Sequence, residues 1–181
     1  LRGEPTEDDP FPYDVDYPQN AQSAKINALL TILTERHPKE PVMVYVGDSQ
    51  KFVRLITERL QSQGIEAAEW SGKTSKTQRK QIMDDIMQGR LQVIVASISA
   101  ISDGTDGLQT VCNIEVWMNK SLYGIKNEQA EGRLNRRGQK KEQIIRYDLV
   151  HEGTADEETF ELDAKKFVRR MAELKVAQVT N

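Results

Sequence analysis

Two runs that are apolar at every position, Val42-Met-Val-Tyr-Val46 and Val93-Ile-Val-Ala96, constrain the fold more than any other feature of the chain. A strand with one wet face alternates apolar and polar residues, whereas a strand apolar throughout is buried on both sides, as in parallel sheets clad by helices. The intervening segments carry the complementary helical spacing. Ile26, Leu29, Leu30 and Leu33 predict a helix over 23–37 that Pro38 and Pro41 close, and Phe52, Leu55, Ile56 and Leu60 predict another running to Gly64. Ile82, Ile86 and Met87 predict a third, with Ser75 or Thr77 as N-cap and Gly89 as its stop. Further strands are expected at 65–70, 91–97, 111–118 and 144–150, a helix from 121 to about 137, and a closing helix over 154–176. Strands alternating with helices give an α/β parallel sheet covered on both faces. Ligands then bind beyond the carboxyl ends of the strands. The segments to search are Gly47-Asp48-Ser49, Trp70-Ser71-Gly72-Lys73, residues 97–108 and Asn119-Lys120-Ser121.

Several function classes are excluded at this stage. With 181 residues the chain is one domain with at most an appendage. No apolar run approaches the roughly 20 residues of a membrane span, and no signal peptide opens the sequence. The single cysteine, Cys112, forms no internal disulfide and supports no cysteine-based zinc site; its apolar surroundings make it a core residue. The two histidines, His37 and His151, read as surface residues rather than ligands or bases. Neither GxxxxGK[ST] nor GxGxxG occurs, nor HExxH, GxSxG or CxxC, so the chain shows no complete hydrolytic site of its own. Charge is unevenly spread. Glu4, Glu7, Asp8, Asp9, Asp14 and Asp16 against Arg2 make the first twenty residues −5, leaving about +2 for the rest of a chain whose formal charge is −3. The same stretch holds Pro5, Pro10, Pro12 and Pro18, which favour extended backbone, so residues 1–22 read as an acidic linker, 23–153 as the domain and 154–181 as a C-terminal helix.

Two segments carry a chemical signal. The first is Gln129-Ala-Glu-Gly132-Arg133-Leu-Asn-Arg136-Arg137-Gly138-Gln139, within a basic stretch that extends through Lys140, Lys141 and Arg146. If this segment is helical, Arg133 and Arg136 project from one face, and paired guanidiniums suit the oxygens of a triphosphate. An ordinary solvated helix end is the competing account. The second is Ser97-Ile-Ser-Ala-Ile-Ser-Asp103-Gly104-Thr105-Asp106-Gly107-Leu108. Its glycines permit close backbone approach to a sugar-phosphate, and Asp106 has the chemistry to accept from a ribose hydroxyl, although a plain polar loop has the same composition.

QAEGRLNRRGQ resembles motif VI of superfamily-two helicases, in the form Q-A-x-x-R-x-x-R-x-G-Q seen in Swi/Snf-type DNA-dependent ATPases. VMVYVGDSQ looks like motif IV, EWSGKTSKTQR like the segment that follows it, and VIVASISAISDGTDGLQ like motif V, in the family's order. The resemblance covers about residues 23–175 and implies a RecA-like C-terminal lobe of a two-lobed motor. It implies that Arg136 is the arginine finger, with Arg133 beside it and Gln129 supporting both. It implies that Gly104 and Asp106 meet the nucleotide sugar or couple its site to the nucleic acid. Gly47, Asp48, Ser49, Ser71, Gly72 and Lys73 are implied as contacts on the tracked strand, with Lys73 as a simple exposed lysine the alternative. At Ile98 the family commonly has a threonine touching the nucleic-acid backbone, a role that would pass here to Ser97 or Ser99. ATP and Mg²⁺ are the implied cofactors, bound mainly by an amino-terminal lobe that would precede Leu1 in a longer parent. No metal ligand is expected in this chain.

The resulting expectation is the second motor lobe of an ATP-dependent DNA translocase or helicase, intracellular, with DNA and an N-terminal ATPase lobe as partners, no membrane association, and no hydrolysis by the isolated chain. The alternatives are a lobe of a strand-separating DNA or RNA helicase, or a non-catalytic module that binds nucleic acid or protein.

Overall fold

The computed structural model describes residues 23–101, 105–121, 123–162 and 165. The acidic segment 1–22 and the closing helix beyond 165 lie outside the described residues, as does Gly104. Five strands form one parallel sheet: β1 (Val42–Val46), β2 (Ala67–Trp70), β3 (Val93–Ser97), β4 (Ile114–Trp117) and β5 (Ile145–Asp148). Their order across the sheet is β2-β3-β1-β4-β5, with β1 central. Val42 pairs with Val93 on one side and with Ile114 on the other.

β1 and β3 occupy the places their apolar runs require, and every residue of both is buried. Helices α1 (Ala24–Thr31) and α2 (Gln50–Ser62) cover one face, where Leu29, Leu33, Val53, Ile56 and Leu60 pack on Val42, Val44, Val46, Val93, Val95 and Val116. The alternate residues of the same strands face α3 (Lys76–Met87) and α4 (Gly124–Glu131), where Met43, Tyr45, Ile94 and Trp117 meet Met83, Ile86 and Ala130. Between Ser75 and Thr77 the structure selects Ser75 as cap of α3: its hydroxyl accepts from Gln78 N while the Gln78 side chain accepts from Ser75 N. α1 continues as a widened π-helical turn over Ile32–Arg36, which closes with His37 N donating to Ile32 O at 2.9 Å.

Three expectations are corrected. The helix expected from 121 to about 137 is only α4, which stops at Glu131, and residues 132–138 follow as successive turns and bends. Leu134 is drawn fully into the core there, so Arg133 and Arg136 do not share a helical face. The strand expected from 111 starts at Ile114, because a 3-10 turn (Leu108–Thr110) occupies the approach to it; Cys112 is buried as expected but precedes the strand. His37 is buried rather than on the surface: Nδ1 lies 3.0 Å from Glu40 Oε1 and Nε2 lies 2.9 Å from the hydroxyl of Tyr147, a partner 110 positions away in the chain. Among the described residues no helix is long and apolar enough to cross a membrane.

Candidate nucleotide and nucleic-acid interface

The two segments singled out by sequence come together. Arg136 Nη1 lies 2.7 Å from Asp106 Oδ1, a bridge across thirty positions of chain that joins the turn after α4 to the loop after β3. The arginine side chain is 38% exposed and the aspartate 86%, so the pair is open to solvent and contributes little to stability. It does aim the guanidinium along the outside of the molecule, with an anion already against it. Arg133 sits differently, half-buried and close enough to Tyr45 for its charge to act on the phenol. Gln129 is exposed on α4. The backbone beside Asp106 is held tightly: Gly107 has φ +99°, Thr110 Oγ1 donates to its carbonyl at 2.7 Å, and a Cβ there would stand 2.7 Å from Met87 Cε. Only glycine occupies this conformation without strain.

The expected strand-tracking residues divide into open and occupied groups. At the carboxyl end of β1, Gly47 is buried and its N–H donates to Asn119 Oδ1 at 2.9 Å, tying β1 to the loop after β4. A Cβ on Gly47 would fall 2.7 Å from Asn119 Nδ2, so this approach needs glycine. Asp48 is exposed, takes a hydrogen bond from Ser121 Oγ at 2.7 Å and pairs with Lys126 at 3.7 Å. Ser49 is exposed and caps α2 by accepting from Phe52 N. After β2, Gly72 and Lys73 are exposed, but Ser71 is fully buried and donates to Glu69 Oε1 at 2.7 Å. After β3, Ser97 is buried and Ser99 exposed, while Ile98 lies in the core with its N–H given to Val46 O. The solvent-facing candidates are therefore Asp48, Ser49, Gly72, Lys73 and Ser99.

Sequence reasoning missed a partly buried charged cluster on the α4 side of the sheet. Glu131 Oε1 accepts from Lys120 Nζ at 3.2 Å and from Arg146 Nη1 at 2.7 Å. Arg146 also bonds Asp148 at 2.8 Å and lies 3.9 Å from Glu115. Glu115, 4% exposed on β4, has its carboxyl pushed up to about 7 by burial, against the lowering influence of the Trp117 indole and of Arg146. No periodicity announced this cluster, since its members are 11 and 15 positions apart; only the basic stretch hinted at Arg146. Among the described residues no three His, Cys, Asp or Glu side chains are grouped to hold a metal ion.

Known proteins give this geometry its context. The fold is similar to the C-terminal part of the Fun30 ATPase domain, with TM-score 0.68 and 20% identity over 78% of this chain and 45% of that one. It is also similar to the Pyrococcus furiosus Hef helicase domain, with TM-score 0.57 and 26% identity over 76% of this chain and 28% of that one. The S. cerevisiae Dbp5 C-terminal domain, solved with Gle1 and IP6, gives TM-score 0.59 and 18% identity over 79% of this chain and 78% of that one. The chain thus spans less than half of the Fun30 and Hef chains. No curated protein matches it. The family model of the helicase conserved C-terminal domain matches residues 24–138, well over half of the sequence, and with the five-stranded parallel sheet this establishes that the chain belongs to that family.

Proposed function

We propose that this lobe supplies the arginine finger and part of the nucleic-acid track of an ATP-dependent DNA translocase of Swi/Snf type, completed by an N-terminal lobe of the same parent. The observation that carries the reading is the Arg136–Asp106 pair, which brings the motif VI arginine and the motif V aspartate to one exposed point. The Q-A-x-x-R-x-x-R-x-G-Q form of motif VI and the likeness to the Fun30 ATPase domain support the Swi/Snf assignment.

In this reading Asp106 holds the Arg136 guanidinium extended when the lobes are apart. Closure of the lobes brings Arg136 to the γ-phosphoryl group, where its planar donors meet charge that develops on the transferring oxygens. Arg133, half-buried in the same turn, contributes positive field beside it. Mg²⁺ bound by the other lobe supplies further neutralisation of the phosphates. Asp48, Ser49, Gly72, Lys73 and Ser99 line the route of a nucleic-acid backbone. Such contacts to phosphate make binding largely sequence-independent and salt-sensitive. The isolated lobe turns over no ATP.

The test is DNA-stimulated ATPase of the full-length parent. Arg136→Ala lowers turnover by about 10³-fold or more while DNA affinity stays within about twofold, as expected when binding rests on other phosphate contacts. Unchanged turnover overturns the assignment and favours a non-catalytic binding module. Forked and blunt duplex substrates distinguish translocation on duplex from strand separation.

A further inference from the structure

The partly buried cluster around Glu131 has no part in holding nucleotide or nucleic acid in the reading above, yet it stands immediately before the two arginines. Glu131 is the last residue of α4, two positions before Arg133 and five before Arg136. Its carboxylate is gripped by cations from two other elements, Lys120 from the loop after β4 and Arg146 from β5. The Lys120 side chain has no exposed surface, and its ammonium sits 3.7 Å from the ring centroid of Trp117 and 5.5 Å from that of Phe160. Arg146 also lies against the Trp117 ring, at 5.0 Å. One residue before Glu131, the carbonyl of Ala130 accepts from the buried Tyr45 hydroxyl at 3.0 Å, and Tyr45 packs on Trp117 with centroids 4.4 Å apart.

The end of α4 is therefore tied to β1, β4, β5 and the β4–α4 loop at once. An ammonium without solvent contact is costly unless paired, and an apolar residue of similar volume would serve packing as well or better. What the charged arrangement adds is direction. The buried Asn127 side chain holds the start of α4 to Ser121, and two hydrogen-bonded cations at its last residue fix the direction of the other end of a helix of eight residues too short to be rigid alone. From Gly132 to the start of β5 the chain has no regular element, so the placement of Arg133 and Arg136 depends on where α4 ends. Past Glu131 the turn is held to the core by the fully buried Leu134 and by Gln139, whose Nε2 donates to Cys112 O at 3.0 Å and to Leu134 O at 3.3 Å.

We propose that Glu131 is a positioning residue for the arginine finger, and that the Lys120–Glu131–Arg146 clamp fixes the angle at which Arg136 is presented to the phosphates. The proposal rests on the split-site reading above, and its experiment separates the two. In the full-length parent with saturating DNA, Glu131→Gln keeps the shape of the side chain and removes its charge. It lowers kcat by about 10- to 100-fold, the scale of a misplacement of about 1 Å, and leaves KM for ATP within about threefold. Because Glu131 acts through the arginines, the double variant Glu131→Gln/Arg136→Ala is no slower than Arg136→Ala alone. If Arg136→Ala silences turnover but Glu131→Gln retains wild-type kcat, the clamp proposal falls and the split-site reading stands. Additive losses in the double variant also overturn it. If Arg136→Ala has no effect, the split-site reading itself fails. Should Glu131→Gln melt below the assay temperature, Lys120→Met/Glu131→Gln removes the buried cation together with its counter-ion. A folded protein of that composition with wild-type kcat overturns the proposal, and one with the reduced kcat supports it.

Discussion

Replacing Glu115 by glutamine tests whether burial or ion pairing governs this part of the sheet. The carboxyl is 4% exposed and stands at about 7 in the folded chain against an ordinary 4.5. The folded state therefore binds a proton over the window from pH 4.5 to 7 that the unfolded state has released. Stability from this group is fully present below pH 4.5 and is lost as pH rises through 7. At 1.36 kcal/mol per pH unit the loss amounts to about 3 kcal/mol. Glutamine preserves the volume and never ionises, so any packing difference it introduces is constant with pH. The assay is urea denaturation of wild type and Glu115→Gln between pH 4.5 and 8.5 at fixed ionic strength. The variant gains on the wild type by about 3 kcal/mol across that window, and the difference flattens above pH 8. A difference independent of pH means that the carboxyl titrates as in water. A variant that loses ground with rising pH means that attraction to Arg146, 3.9 Å away, outweighs desolvation, and the argument from burial is then wrong.

Cys112 is fully buried and its thiol is pushed up to about 12, chiefly by burial, so at pH 8 the native chain resists aromatic disulfide reagents and labels fully in urea; rapid stoichiometric labelling of the native chain contradicts this. Gly107→Ala places a side chain at φ +99° with its Cβ 2.7 Å from Met87 Cε, and destabilises by about 1–3 kcal/mol in chemical denaturation. An unchanged midpoint there shows that the loop relaxes freely.

Much of the architecture was legible because burial writes itself plainly into strands. β1 is apolar at each step and β3 at each step before Ser97, and both lie within the expected segments. β2 was harder: Glu69 interrupts it, and Ile65, though buried, packs on the core before pairing begins. At β5 the burial alternates along Ile145–Asp148, the pattern of an edge strand, so its ends were blurred. The candidate site was legible as a list of residues and not as an arrangement. The spacing of Arg133 and Arg136 fits a helix, but Gly132 and the inward pull of Leu134 end the helix first, and this competition is tertiary. His37 went astray for the same reason, because its burial depends on Tyr147. The Lys120–Glu131–Arg146 cluster leaves no local trace at all, since paired charges read one at a time look like surface.

The place of β1 in the sheet bears on how the chain reaches this structure. β2 pairs with β3 and β4 with β5, each between strands that follow one another in sequence, whereas β1 joins the two pairs through Val42↔Val93 and Val42↔Ile114. Those contacts close loops of about 50 and 70 residues, and since each doubling of a loop costs only about 0.6 kcal/mol, their entropic penalties are nearly equal. Neither half of the sheet is thus favoured to capture β1 first. The two outer pairs belong to local βα units, and β1 is the strand that joins them. Its pairings are non-local, the kind that slows folding relative to helices, and a defect in β1 separates the halves where the same defect in β2 or β5 only frays an edge.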